Sequence, residues 1–152
     1  MTHMNKISVQ QEDFNLSQEV SLARAKDSNI GAVVSFVGTV RDLEDTPIQQ
    51  MTLEHYPGMT EKALEDIAKQ AQDRWPLGNI TIIHRVGTLN INEQIVLVVT
   101  TSKHRQAAFE SCEFIMDYLK TQAPFWKKEH TDTQSHWVEA KDSDEDAAKR
   151  WS

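Results

Sequence analysis

Apolar residues recur along this chain at two different periods, and the switches between them outline its elements. "GAVVSFVGTVR" (Gly31 to Arg41) is a β-branched run bounded by glycine, the pattern of a buried strand. "QQMTLEHY" (Gln49 to Tyr56) alternates, with Met51, Leu53 and His55 on one face and Thr52, Glu54 and Tyr56 on the other, which predicts a second strand. Pro57-Gly58 breaks it. Ala63, Leu64, Ile67, Ala68 and Ala71 then recur at helical spacing and predict a helix from Thr60 to Trp75, stopped by Pro76 and Gly78. "NITIIHRVGTLN" and "EQIVLVVTTS" read as two strands joined by a tight polar turn near Asn92-Glu93. The longest periodic stretch, His104 to Gln122, carries Ala108, Cys112, Ile115 and Leu119 as a core stripe and ends before Pro124. Shorter signals predict a strand at Ile7–Val9, a helix over Ser17–Lys26, a polar loop from Leu43 to Pro47, extended pieces at Phe125–His130 and His136–Ala140, and a polar helix over Asp144–Trp151. Two main helices on a mostly antiparallel sheet make an α+β fold. A length of 152 residues fits one domain, with residues 1–30 its least informative part.

The formal net charge of −7 argues against a broad nucleic-acid or membrane-surface role, both of which call for a basic face. No apolar stretch is long enough to span a bilayer and no leader pattern precedes the first elements, so a cytoplasmic protein is expected. Cys112, the single cysteine, excludes an internal disulfide and a cysteine metal cluster, and its place in the helix stripe predicts a buried, inert thiol. His55, His84, His130 and His136 lack metal-ligand spacing and are expected to be packing or surface residues, and no resident metal or cofactor is expected. Phosphate-cradling glycine motifs and the serine-hydrolase elbow are missing as well.

Against that acidic background, "MDYLKTQAPFWKKEH" (Met116 to His130) sets Lys120, Lys127 and Lys128 around Pro124, Phe125 and Trp126. At 100° per residue Lys120 shares a flank of the long helix with Phe109 and Met116, at the edge of buried surface. There it is either a snorkelling lysine or a cation held for use. Beyond Pro124 the chain is extended, so Lys127 and Lys128 point to opposite sides, and a return past the helix end can bring Lys127 toward Lys120. A core position for Trp126 would put Phe125 and Lys127 on the other face. "SKHRQ" (Ser102 to Gln106) places His104 and Arg105 where a strand enters a helix, a location suited to an anion, although Arg105 can equally pair with Glu110. Arg41 closes the strand that contains Gly38, whose missing side chain allows close approach. Arg105 and Lys120 stand at opposite ends of one helix, roughly 22 Å apart at about 1.5 Å per residue. A single small ligand reaches both only if two chains meet, which predicts a composite site at a two-fold interface.

"LEHYPGMTEKAL", "RWPLGNITIIHRVG", "TSKHRQAAFE", "FIMDYLKTQAPFWKKE" and "WVEAKDSDEDAAKRW", together with "GAVVSFVGTVR", resemble the large, catalytic subunit of molybdopterin synthase, the MoaE family. The resemblance covers residues 31–151. It implies an α/β-hammerhead-type fold and a sulfurtransferase of molybdenum cofactor biosynthesis, working as a homodimer within a heterotetramer. Its partner would be a small ubiquitin-like sulfur carrier (MoaD-like), whose thiocarboxylated Gly-Gly tail enters the large subunit and delivers sulfur to cyclic pyranopterin monophosphate. Two carriers in succession would complete the dithiolene. By the same resemblance Lys120 and Lys127 are the catalytic pair. Arg41, His104 and Arg105 would bind substrate with them, flanked by Thr39, Val40, Lys128 and Glu129; Met116 and Lys141 are further candidates. Lys141 stands where a related sequence has arginine, which keeps the charge but loses two-pronged phosphate recognition.

Two other functions fit the same residues. A non-catalytic module could grip a Gly-Gly tail with one cation, leaving Arg41, His104 and Arg105 without a task. A hydrolase of a small phosphorylated compound could use His104 as acid or base and would need no carrier.

Overall fold

The computed structural model describes residues 5–25, 27–42, 48–131, 135–138 and 142–151. Along the chain run β1 (Lys6–Gln10), α1 (Leu16–Arg24), β2 (Ala32–Thr39), β3 (Ile48–His55), α2 (Met59–Arg74), β4 (Thr81–Arg85), β5 (Gly87–Asn90), β6 (Gln94–Ser102), α3 (Arg105–Gln122), β7 (Phe125–Thr131), β8 (Ser135–Val138) and α4 (Asp142–Lys149). The expected loop at Leu43–Pro47 and Lys141 lie outside the described residues.

The strands form two four-stranded sheets, ordered β1-β4-β6-β2 and β5-β3-β7-β8. Only β1 with β4 runs parallel; the other pairings are antiparallel. The fold is thus α+β and mostly antiparallel. The "NITIIHRVGTLN" run does not stay one strand: Gly87 sits at φ 91, a backbone region open to glycine, and the chain turns there from the first sheet into the second. Val86 covers the turn by packing with Val40, Met51, Leu53 and Leu89. The Asn92-Glu93 turn forms as expected, with Asn92 at φ 72 and the Glu93 amide donating to the Asn90 carbonyl at 3.1 Å.

The main core lies between the first sheet and the pair α2–α3. Leu64, Ile67, Ala68 and Ala71 of α2 meet Cys112, Ile115 and Leu119 of α3 over Ile80, Ile82, Val96 and Val98. Ala108, Cys112, Ile115 and Leu119 are all buried, as their helical period requires. On the sheet's other face α1 packs through Ala23, beside Phe14, against Ile83, Leu97 and Val99. The C-terminal helix is tied to α3 by Arg150, which donates to Glu113 and Asp117, and by Trp151, whose indole N–H donates to Asp117 at 2.6 Å. The Trp151 ring meets Trp75 and Phe114 edge-on, at 5.7 and 5.6 Å.

Candidate functional site

Sheet register decides which candidates can meet. His84 of β4 and Gly38 of β2 both pair with Val96 of the intervening β6. They therefore share one end of the first sheet, two strand spacings or about 10 Å apart. A Cβ on Gly38 would stand 2.8 Å from the Val96 side chain, so the close approach foreseen for this glycine is to β6. Just beyond, the pairing slips between Gly38 and Thr39. Val40 is fully buried and locked to the 90–93 turn: its amide donates to the Glu93 carbonyl and its carbonyl accepts from the Asn92 amide, both at 2.9 Å. Thr39 and Arg41 on either side are exposed, so Arg41 leaves the strand at this end of the sheet.

α3 brings the first lysine to the same end. β6 runs away from Val96 to Ser102, and α3 then returns across β6 and β2. Lys120, in its last turn, is exposed and makes no ion pair among the described residues. The bend after it is held from outside. Thr60, buried at the start of α2, accepts from the Tyr56 amide and donates to the Pro124 carbonyl, both at 2.9 Å. α3 closes through the Ala123 amide on the Leu119 carbonyl, and β7 begins at once with Phe125 paired to His55.

In β7 the faces are the reverse of the arrangement that puts Trp126 in the core. Trp126 is 48% exposed, while Phe125 reaches inward and touches both the main core and the cluster under the second sheet. Phe125 stacks on His84 with ring centres 3.8 Å apart and planes 19° from parallel, an area of contact the indole cannot match from the outer face. Lys127, opposite the buried Leu53, and the buried Glu129 share Phe125's side; Lys128 faces outward with its ammonium 5.5 Å from the Trp137 ring. The Lys127-Lys128 doublet thus splits between the two faces, as expected. Lys120 and Lys127 both lie close enough to His84 to oppose a proton on its ring. Burial is the larger influence, and together these push His84 down to about 3, with the hydrogen bond to the Arg85 carbonyl acting the other way. The imidazole is neutral at ordinary pH.

The structure therefore gathers Lys120, Lys127, Phe125 and His84, with Arg41 at the same end of the sheet. His104 and Arg105 are elsewhere. Both are exposed at the start of α3, at the opposite end of the first sheet, where no acidic residue occupies the first turn. Glu110 accepts from the Trp75 indole at 3.3 Å, and Arg105 makes no ion pair among the described residues. Near His104 a cleft of about 330 Å³ is lined by Trp75, Pro76, Lys103, Gln106 and Glu110. Met116 belongs to a third place, an open groove of about 360 Å³ with Val34, Phe36, Phe109, Cys112 and Glu113.

Two residues of this region carried no spacing signal. His84 and Arg85 follow the apolar pair Ile82-Ile83 in a strand that is buried at every position, and two polar side chains inside a strand run were the one available hint. Arg85, buried beside His84, donates to the carbonyls of Gln11 and Gln94, each at 3.0 Å, and so fastens the strand end. Among the described residues no group of histidine, cysteine and carboxylate side chains is placed to hold a metal, and no helix is long and apolar enough to cross a membrane.

A family model described as "MoaE protein" matches residues 9–122. The molybdopterin synthase catalytic subunit of Vibrio cholerae is 55% identical over 97% of this chain and 98% of its own length. Among solved structures, the molybdopterin biosynthesis MoaE protein from Burkholderia ambifaria superposes with a TM-score of 0.85 at 55% identity, covering 97% of this chain and 98% of that one. A protein–protein complex of subunits 1 and 2 of molybdopterin-converting factor from Helicobacter pylori contains a chain with TM-score 0.71 and 25% identity, covering 88% of this chain and 89% of that one. The similarity begins well before Gly31 and takes in β1 and α1.

Proposed function

Because the chain belongs to the MoaE protein family, we propose that it is the large subunit of a molybdopterin synthase, moving sulfur from the thiocarboxylated tail of a small ubiquitin-like carrier to cyclic pyranopterin monophosphate. The observation that carries this reading is the convergence of Lys120 and Lys127, from separate elements, on one aromatic-walled end of the first sheet. A thiocarboxylate tail and a cyclic phosphate are both anions, and cations beside a partly dry wall neutralise them more strongly than cations in open water.

In this mechanism the extended Gly-Gly tail enters beside Lys120, whose ammonium polarises the thioacyl group and moves protons as sulfur leaves. Lys127 works on the pterin side as general acid or base while the ring opens and the thiolate adds. Once the sulfur is bonded to the pterin, water cleaves its bond to the carrier's acyl carbon, so the spent carrier departs with a carboxylate terminus, and a second one supplies the other sulfur. Arg41 holds the phosphate from the same chain; His104 and Arg105 do so from a neighbouring one. Thr39, Val40 and Glu129 flank these groups, whereas Lys128, on the outer face, suits contact with the carrier's body. The cytoplasm is the compartment assigned, in keeping with one buried cysteine and no disulfide.

Support for a homodimer comes from the Val34–Phe36–Phe109–Met116 groove. Phe36 is 40% and Phe109 60% exposed, apolar surface of the kind a second copy covers. The groove reaches Cys112 and Glu113, midway between Arg105 and Lys120 on α3. A two-fold axis there lays the Arg105 end of one helix against the Lys120 end of its mate, completing each site with the partner's cations.

The test is a single turnover of purified protein with thiocarboxylated carrier and cyclic pyranopterin monophosphate, comparing wild type with Lys120→Ala. Wild-type dithiolene formation, with the variant binding carrier but losing on the order of a hundredfold or more in rate, is the expected result. A wild-type protein that binds the carrier and makes no product would be a tail-binding module instead. An active monomeric variant would overturn the shared site.

A further inference from the structure

Beneath the two lysines lies a buried ring that this mechanism does not use. His84 is only 4% exposed, its ring face covered by Phe125 at 3.8 Å, and its Nδ1 lies 2.9 Å from the Arg85 carbonyl oxygen. A carbonyl oxygen only accepts, so Nδ1 carries the hydrogen and Nε2 keeps its lone pair. Nothing among the described residues donates to Nε2. Yet among the described residues no fully buried side-chain nitrogen or oxygen is left without a partner. Nε2 is therefore not sealed off from solvent, although the ring as a whole is buried.

The charged and titratable groups bearing on this ring come from three packed elements: Lys120 from α3, Lys127 from β7 and His55 from β3. The neighbouring Arg85 directs its guanidinium to the Gln11 and Gln94 carbonyls and toward Glu93. Lys120 stands in the last turn of α3, five residues before the Phe125 ring that stacks on His84, and its exposed side chain makes no ion pair among the described residues. It carries a compact charge on a flexible four-carbon stem and needs a fixed acceptor to hold one direction.

We propose that His84 is a positioning residue: the flexible Lys120 stem swings its ammonium from its exposed position onto His84 Nε2, and that hydrogen bond aims the ammonium at the incoming thiocarboxylate. A neutral imidazole suits this task better than a carboxylate. An Asp or Glu acceptor would cancel the lysine's charge and repel both anionic substrates, whereas an uncharged ring orients the ammonium and leaves the positive field intact. Burial keeps the ring uncharged, the stack on Phe125 keeps it from rotating, and the Arg85 carbonyl fixes which nitrogen is the acceptor. The proposal rests on Lys120 being the group beside the carrier tail.

Side-chain amides provide the test, because Gln places its oxygen near the Nε2 position and Asn near Nδ1. In the single-turnover assay His84→Gln should keep the rate within about threefold. His84→Asn and His84→Phe should lose on the order of ten- to a hundredfold, the range for one hydrogen bond to a charged group. Carrier affinity should stay unchanged in all three. Equal rates for the folded Gln and Asn variants overturn the proposal alone; a wild type that makes no dithiolene overturns the synthase reading and this proposal with it. Imidazole nitrogen-15 NMR of the intact protein gives an arm independent of variant folding at position 84. Lys120→Ala should shift the Nε2 resonance and leave Nδ1 in place, and an unmoved Nε2 overturns the proposal.

Discussion

Acid should weaken this protein through His84, and the size of the effect follows from its burial. The ring is held at about 3, against an ordinary value of 6.5 in the unfolded chain. Between those two values the unfolded chain binds a proton that the folded one refuses, so stability is complete above about pH 6.5 and declines as pH falls toward 3. The slope is roughly 1.4 kcal/mol per pH unit. From pH 7.5 to pH 5 the loss is about 2 kcal/mol, a sizeable part of the 5–15 kcal/mol that typically holds a domain together. Asp13, held below the usual carboxylate range chiefly by the hydrogen bond from Gln94, adds its own loss only at lower pH. Urea melts of wild type and His84→Gln at the two pH values isolate the term, since every other titrating group is common to both. Wild type should lose about 2 kcal/mol more than the variant on acidification. Equal losses in the two proteins would mean that the buried ring accepts its proton without hindrance, and the account of a neutral ring would fail.

Other outcomes follow from side chains at defined places. Arg105→Ala should leave thermal stability within about 0.5 kcal/mol, because the side chain is exposed without an ion pair among the described residues, while weakening pterin binding measured by titration. Trp151→Ala removes the edge contacts to Trp75 and Phe114 and the bond to Asp117, and should lower stability by about 2–3 kcal/mol in a urea melt. The Cys112 thiol, pushed up to about 12 mainly by burial and then by Glu113, is ionised in about one molecule in ten thousand at pH 8. Iodoacetamide should therefore label it promptly in urea and barely in the native protein, as followed by mass.

What the chain's pattern made legible was periodicity with one possible outcome. The α3 stripe of Ala108, Cys112, Ile115 and Leu119 had to be buried, and the Pro124 stop had to separate Lys120 from Lys127. Where two outcomes were equally patterned, tertiary contact chose. Phe125 and Trp126 are adjacent aromatics, and alternation alone does not say which goes in; the flat surface of His84 took the smaller ring. The run from Asn79 to Asn90 has unbroken strand character, and only the need to cover the second sheet turns it at Gly87. His84 itself has no partner at a telling spacing, because its neighbours arrive from β7, α3 and β3 rather than from nearby sequence.

The pairing of Phe125 with His55 has a kinetic consequence. Lys120 and Lys127 belong to one short stretch and can approach as soon as α3 ends. The wall behind them exists only when β7 has found β3, a strand from the other half of the chain. Closing so long a loop is among the slow events of folding, paid in chain entropy before any contact is gained. A refolding molecule should hence acquire its helices and first core ahead of its chemistry. Sulfur transfer would return in step with the last phase, and a nascent chain would bind no substrate productively until its final strands were in place.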